Sequence, residues 1–154
     1  MNTNIGSRYI IHSMFVSTIV FLFLLCINIG FDMMSKKTYQ CYSKSPQRVK
    51  IISLLLAHHI VNVFVNFGWL FYSPILLILY IISIPVMYIH WYLNNNTCKI
   101  TTDMNKMCGW GENTYFNDIF NILGFKKYEN WDKIYHNVFI GLGISIAIYK
   151  LMHR

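Results

Sequence analysis

Residues 51–93, IISLLLAHHIVNVFVNFGWLFYSPILLILYIISIPVMYIHWYL, decide the fold. The stretch contains no Asp, Glu, Lys or Arg, and Ser73-Pro74 divides it into two apolar arms. Each arm, as a helix, is long enough to cross a hydrocarbon core of about 30 Å. Proline suits the first turn of a helix, where its missing N–H would have no intrahelical partner. The stretch therefore predicts two membrane-spanning helices joined by a tight turn.

The composition of the whole chain agrees with a lipid environment. Of its 154 residues 55% are hydrophobic and 12% are charged, and the mean hydropathy is +0.41. Soluble domains carry about 25% charged residues. A formal net charge of +7 would also suit a nucleic-acid-binding protein. Because the charges lie in segments between apolar runs, we interpret them as signals of membrane orientation and expect no nucleic-acid partner.

The apolar runs predict four transmembrane helices, at residues 9–31, 49–72, 75–93 and 134–152. The first run is too long for the apolar region of a cleaved signal peptide, which spans about 7–15 residues, so we expect it to be retained. Pro85 is expected to kink the third helix. The sequence thus predicts an all-α membrane protein with one transmembrane domain, covering residues 1–154.

Two polar segments connect these spans. Residues 32–50 are expected to form a linker in which Ser45-Pro46 breaks any helix. Residues 94–133 form the longer extramembrane loop. Within this loop, residues 113–124 have apolar side chains on one face, which predicts an amphipathic helix. This helix is expected either in the membrane interface or packed beneath the bundle.

Lysine and arginine are unevenly distributed between the two predicted sides. The two longer loops hold ten of the 13: Lys36, Lys37, Lys44, Arg48, Lys50, Lys99, Lys106, Lys126, Lys127 and Lys133. The positive-inside rule then places both loops in the cytosol and both termini on the non-cytosolic side. Cys98 and Cys108 could pair only in an oxidising compartment, so a cytosolic loop keeps them reduced. A disulfide between them, or a glycan on the Asn95 sequon, would reverse the orientation.

Polar side chains interrupt the apolar runs and are the candidate site residues. His58, Asn62 and Asn66 lie on one helix face, whereas His59 points about 100° away from His58. Alternating span directions bring a larger set to one leaflet: Asn28, His58 or His59, His90, Asn94 and His136. Such residues can bond the helices together or form a functional site. If the site holds a metal or haem, His58, His90 and His136 are its candidate ligands.

The order of several motifs resembles a known family. His58 precedes Gly68 by ten residues in one span, and the next span leads into Cys98-Lys99-Ile100-Thr101. This pattern resembles a family of small multi-pass membrane proteins, a domain of unknown function marked by a Cys-Pro-Leu-Thr motif. Lys99 replaces the proline, and Asp103 stands one position before the family's glutamate. The resemblance implies a multi-pass architecture and marks His58, Gly68, Cys98 and Thr101, but it brings no assigned activity.

Taken as a whole, the sequence favours a non-enzymatic structural or partner-binding membrane protein. It contains no glycine-rich phosphate loop, no G-x-S-x-G motif and no paired-acid signature. Two alternatives stay open. One is a polar pocket near the cytosolic leaflet that binds a lipid headgroup, a small molecule, a metal or haem, and the other is a small oligomeric channel. Gly141 and Ser145 form a small-residue pair through which helices of an oligomer could approach closely.

Overall fold

The computed structural model of this chain is built from helices. It describes residues 3–111, 124 and 134–153, and none of these lies in a strand. The described α-helices are α1 Thr3–Met34, α2 Lys36–Lys44, α3 Arg48–Phe67, α4 Pro74–Leu93, α5 Lys99–Cys108 and α6 Gly141–Met152. A 3₁₀ turn, Gly68–Leu70, continues α3, and a π-helical turn, Tyr135–Ile140, leads into α6.

Three helical segments are long and apolar enough to cross a membrane: Arg8–Met33, Arg48–Leu70 and Pro74–Leu93. The predicted all-helical chain with membrane-spanning helices is therefore confirmed to that extent. The apolar helical segment Val138–Met152, within the predicted fourth span, is shorter. The predicted interfacial helix at 113–124 lies outside the described residues except for Gly124.

Two short helices occupy segments that the sequence predicted as polar loops. Helix α2 begins after Ser35, whose Oγ accepts a hydrogen bond from the Thr38 N–H at 3.2 Å. It ends at Lys44, immediately before the break expected at Ser45-Pro46. Helix α5 ends at Cys108 and is followed by Gly109, whose φ of 62° is the left-handed conformation common after a helix C-terminus.

Helices α2 and α5 pack against the first turns of α3, and we call this unit the head. Its apolar centre consists of Ile51, Leu55 and Met104, all 3% exposed or less. A disulfide joins Cys41 of α2 to Cys108 of α5, with their Cα atoms 5.2 Å apart. The prediction that Cys108 stays reduced is therefore wrong, whereas Cys98 is a free thiol as expected, and the pairing of these two cysteines that the sequence left open does not occur. Cys98 and Cys108 lie at opposite ends of α5, about 15 Å apart at 1.5 Å per residue, too far for a disulfide.

Tyr80 is the centre of the packing between α3, α4 and α6. Its side chain is fully buried in a core that includes Phe71, Leu77 and Ile140. A Cβ atom added to Gly68 would lie 2.4 Å from the Tyr80 ring. One added to Gly143 would lie 2.6 Å from the Tyr80 hydroxyl. The two glycines thus make room for the ring between α3, α4 and α6.

The turn between α3 and α4, residues 71–73, is the apex of the hairpin, and other helices satisfy its backbone. The buried Ser17 Oγ of α1 accepts hydrogen bonds from the N–H groups of Tyr72 at 2.8 Å and Ser73 at 3.1 Å. The Lys150 ammonium of α6 donates to the carbonyl oxygens of Trp69 at 2.9 Å and Phe71 at 3.4 Å. Backbone groups in an apolar environment require such partners, so α1 and α6 complete the apex.

Candidate functional site

A cavity of about 490 Å³ lies between α3, α4 and the start of α5. Three side chains in its lining are exposed, Ile60 by 40%, Val61 by 46% and Val86 by 59%. They lie on helices long enough to cross a membrane, so the cavity reaches the surface that would face lipid. We call it the lateral cavity. Its further lining residues are His58, Asn62, Phe64, Val65, Asn66, Ser83, Met87, His90, Trp91, Cys98, Ile100 and Tyr135.

Four of the candidate site residues line this cavity: His58, Asn62, Asn66 and His90. The first three share one face of α3 because they recur every four residues. His90 lies near the end of α4, close to the head. Ser83 is two turns deeper on the same helix, about 10 Å away at 1.5 Å per residue. The polar groups therefore form a column along one wall, with apolar side chains around it.

Asn66 is hydrogen-bonded within the protein, and one of its bonds joins α3 to the segment that leads into α6. It is 3% exposed, and its amide Nδ2 donates to the Asn62 carbonyl oxygen at 2.8 Å. Its Oδ1 accepts a hydrogen bond from the Tyr135 hydroxyl, and its backbone carbonyl accepts one from the Trp69 indole at 2.9 Å. The sequence could not identify Tyr135 as a partner, because that contact depends on how the last helix packs. Asn66 therefore has little capacity left for a ligand.

The side chain of Asn62, unlike that of Asn66, retains an acceptor without a partner among the described residues. This acceptor is the buried side-chain oxygen Oδ1. The same residue lines the lateral cavity. A buried acceptor without a partner typically costs about 1–3 kcal/mol. A hydrogen-bond donor that reached this oxygen would remove this cost.

His90 is oriented by the head. Its Nε2 accepts a hydrogen bond from the backbone N–H of Lys99, the first residue of α5, at 3.2 Å. This contact fixes the direction of the ring. Asn94, another candidate residue, does not line the cavity and instead donates from Nδ2 to the His90 carbonyl oxygen at 2.7 Å. Asn94 thus contributes to the end of α4.

His59 points away from the cavity and contacts Asp32, which is not among the candidate site residues. Its Nε2 lies 3.1 Å from Oδ2 of Asp32, and both side chains are fully buried. Oδ1 of Asp32 accepts a hydrogen bond from the Thr38 hydroxyl at 3.0 Å, and Ser35 donates to Thr38 at 2.8 Å. The sequence feature that could have identified Asp32 is that it is the first charged residue after the apolar run 9–31. This network joins the end of α1 to α2 and α3.

The remaining candidate residues lie apart from the lateral cavity or outside the described side chains. Asn28 is fully buried on α1, and its Nδ2 donates to the Leu24 carbonyl at 2.9 Å. The side chain of His136 is not among those that the structure describes. No group of three or more His, Cys, Asp or Glu able to hold a metal occurs in residues 3–111 and 134–153.

The positions marked by the family resemblance have distinct surroundings. Gly68 packs against the Tyr80 ring, Cys98 is a free thiol that lines the cavity, and Thr101 is half-buried on α5. No protein-family model, no curated protein and no solved structure matches this chain. The resemblance therefore stays a prediction, and the geometry alone carries the functional argument.

Proposed function

We propose that this chain is a multi-pass membrane protein that binds an amphiphile with a hydroxyl headgroup in the lateral cavity. The observation that carries the proposal is the buried, unpartnered Oδ1 of Asn62 in the cavity wall. An oxygen acceptor of this kind calls for a donor, which an alcohol supplies and a quaternary ammonium or an ester does not. The nearby His90 ring, held by Lys99, adds an orienting polar group.

The shape and lining of the cavity support an apolar tail on that ligand. Its volume of about 490 Å³ falls in the range of about 300–1,000 Å³ typical of small-molecule sites. Phe64, Val65 and Met87 provide apolar surface, and Val86 at 59% exposure lies on the side open to lipid. A single-chain lipid alcohol or a monoacylglycerol could therefore enter sideways from the bilayer, with its hydroxyl toward Asn62.

Gently purified protein tests the proposal through native mass spectrometry and photocrosslinking with a diazirine-bearing monoacylglycerol. We expect a bound lipid near one per chain and crosslinks to residues 58–66 and 83–91. Asn62→Leu, which keeps the side-chain size and removes the acceptor, should abolish both signals. Ser145→Ala, an exposed change outside the cavity, is the matched control. Unchanged crosslinking in Asn62→Leu would refute the proposal.

We further propose that residues 134–152 form a fourth span. Tyr135 bonds to Asn66 of α3, and Lys150 bonds to the apex of the hairpin. These two contacts are separated by about 22 Å along a helix, most of the thickness of a hydrocarbon core. The segment therefore runs lengthwise along the bundle, which supports a membrane-crossing role. We also retain the interfacial helix at 113–124 as part of this proposal.

The orientation is proposed with the head in the cytosol and both termini on the other side. The lysines and arginines of the head support it, whereas the Cys41–Cys108 disulfide opposes it, since disulfides persist in oxidising compartments. Labelling of a tag at each terminus on intact cells decides between the two. Both tags should be accessible from outside. Accessibility only after permeabilisation would reverse the assignment. The head would then lie in an oxidising compartment, which would explain the disulfide.

A structural or partner-binding role is the second candidate function. Two contacts between buried polar side chains favour it, because they join separate helices: Asn66 with Tyr135, and Asp32 with His59. The Gly141–Ser145 pair is the proposed contact with a second copy, since nothing lies within 4 Å of a Cβ added to Gly141. Crosslinking between single cysteines at position 145 would support this role. Monomers at every protein-to-lipid ratio would exclude that contact.

A further inference from the structure

A second cavity, of about 580 Å³, lies on the head and has a different chemistry. Helix α2 contributes one wall, Trp110 contributes another, and the Cys41–Cys108 disulfide lies between them. The residues from α2 are Lys36, Lys37, Gln40 and Lys44. We call this cavity the basic groove. It shares no lining residue with the lateral cavity.

The rotation of α2 is fixed, which directs its lysines to the groove. Thr38 is fully buried and bonds to Asp32, so this side of the helix faces the protein. Lys36, Gln40 and Lys44 recur every four residues and so lie along the other side. The Lys37 ammonium lies 4.2 Å from the centre of the Trp110 ring. This cation–π contact, together with the disulfide, holds the two walls in register.

The charges of Lys36 and Lys44 are not neutralised by the carboxylates that the structure describes. Asp32 is buried against His59 and Thr38, and Asp103 pairs with Lys99 at 2.6 Å. Neither Lys36 nor Lys44, both exposed, forms an ion pair within the described part of the chain. Two ammonium groups, with a third held over an indole, therefore face one recess.

The position of the groove relative to the membrane indicates which class of ligand it can bind. Helix α2 begins two residues after α1 ends at Met34, and α1 contains the membrane-length segment Arg8–Met33. The lysines of α2 therefore lie at the level of the lipid headgroups, where tryptophan is also enriched in membrane proteins. Lysine clusters directly beside a span bind anionic lipids of the adjacent leaflet. Lysine also binds phosphate as a compact point charge.

We propose that the basic groove binds the phosphorylated headgroup of an anionic membrane lipid, such as a phosphoinositide monophosphate. Lys36 and Lys44 supply the charge, Gln40 donates to a phosphate or inositol oxygen, and Trp110 covers the ring. This site is independent of the lateral cavity, so either binding proposal can fail alone, but its occupation in the cell rests on the proposed cytosolic orientation of the head, because phosphoinositides belong to the cytosolic leaflet. A recess of about 580 Å³ accepts an inositol phosphate headgroup while the acyl chains stay in the bilayer.

The test uses the full chain in nanodiscs of zwitterionic lipid and measures binding of water-soluble dioctanoyl phosphatidylinositol 4-phosphate. The variant Lys36→Gln/Lys44→Gln should weaken binding roughly 25-fold, about fivefold for each lysine. The control removes equal charge from the head, by Lys50→Gln/Lys99→Gln, and should weaken binding by less than about fivefold because neither lysine lines the groove and exposed charges act on a distant ligand only through screened attraction. Single variants Lys36→Gln and Lys44→Gln cover the case in which the double variant does not fold.

Three outcomes would overturn the proposal. Equal losses in the groove variant and the control variant would mean diffuse attraction to the head instead of binding in the groove. Unchanged binding in the single variants, with the disulfide intact on a non-reducing gel, would exclude the lysines as ligands. Competition by inorganic phosphate at the concentration of the lipid probe would make the site one for free phosphate. The proposal is supported only if binding follows the groove lysines and phosphate alone does not compete.

Discussion

Replacing Gly68 by alanine should destabilise the protein, although alanine is normally the better helix residue. The new Cβ would lie 2.4 Å from Cδ2 and 2.9 Å from Cγ of Tyr80. Tyr80 cannot move away, because its hydroxyl end is confined at Gly143 and its side chain is fully buried. Overpacking of this kind costs about 1–3 kcal/mol. Gly141→Ala meets nothing within 4 Å and should gain about 0.5–1 kcal/mol instead.

Thermal unfolding in detergent, followed by far-UV circular dichroism, measures the contrast between the two variants. Their stabilities should differ by about 1–3 kcal/mol, the overpacking cost alone, because both variants share the gain from replacing glycine by alanine. The double variant Gly68→Ala/Tyr80→Leu should be less destabilised than the two single changes combined, because the ring that the Cβ meets is gone. If Gly68→Ala unfolds at the same temperature as Gly141→Ala, the close approach of Tyr80 to this glycine is incorrect.

Three further outcomes follow from the head and its junction with α1. Asp32→Asn should lower stability by about 1–3 kcal/mol, because it weakens the buried contact with His59; chemical denaturation measures it. The hydrogen bond from Lys99 lowers the pKa of Asp103 below its ordinary value, so the stability that this pair adds is complete above about pH 4 and is lost as the pH falls through the lowered pKa. Near neutral pH, Asp103→Asn should be less stable than the wild type by a few tenths of a kcal/mol, the contribution of an exposed ion pair. In an acid titration the two free energies of unfolding should become equal only at the lowest pH. Cys41→Ser should abolish the mobility difference between reduced and non-reduced protein, and a persisting difference would mean another pairing.

The membrane helices could be predicted because lipid imposes a simple requirement on sequence. A spanning segment must be long, apolar and internally hydrogen-bonded, so the uncharged runs around Ser73-Pro74 are sufficient to predict two helices. Pro74 is the first residue of α4, as its missing N–H predicted. The bounds of these helices agree with the predicted ones to within a few residues at most ends. The start of α1 at Thr3 is the largest difference, because its first turns carry polar residues that hydropathy does not count.

The head could not be predicted from local sequence. Helix α5, KITTDMNKMC, is short and largely polar, and its burial depends on Met104 meeting Ile51 and Leu55 across the fold. The Cys41–Cys108 pairing bridges a sequence separation of 67, and cysteine spacing alone does not give connectivity. Both features depend on tertiary contacts that no single window of the chain contains.

The candidate site could be predicted from the sequence only in part. Helical period alone separates the directions of His58 and His59, and the structure has one at the lateral cavity and the other at Asp32. The period does not tell which polar groups are already bonded. Asn62 and Asn66 look equivalent in sequence, yet only Asn66 receives the Tyr135 hydroxyl. That difference decides which of them can contact a ligand, and it depends on a helix nearly 70 positions away.

The apex of the α3–α4 hairpin has a consequence for biogenesis. Its N–H groups are satisfied by Ser17 near the beginning of the chain and its carbonyl oxygens by Lys150 near the end. During synthesis the first partner is already in the membrane when the hairpin inserts, whereas the second emerges from the ribosome more than 70 residues later. The inserted intermediate would therefore carry exposed carbonyl groups until α6 is synthesised and packs against the apex. Chains truncated before α6 should be prime substrates for membrane quality control.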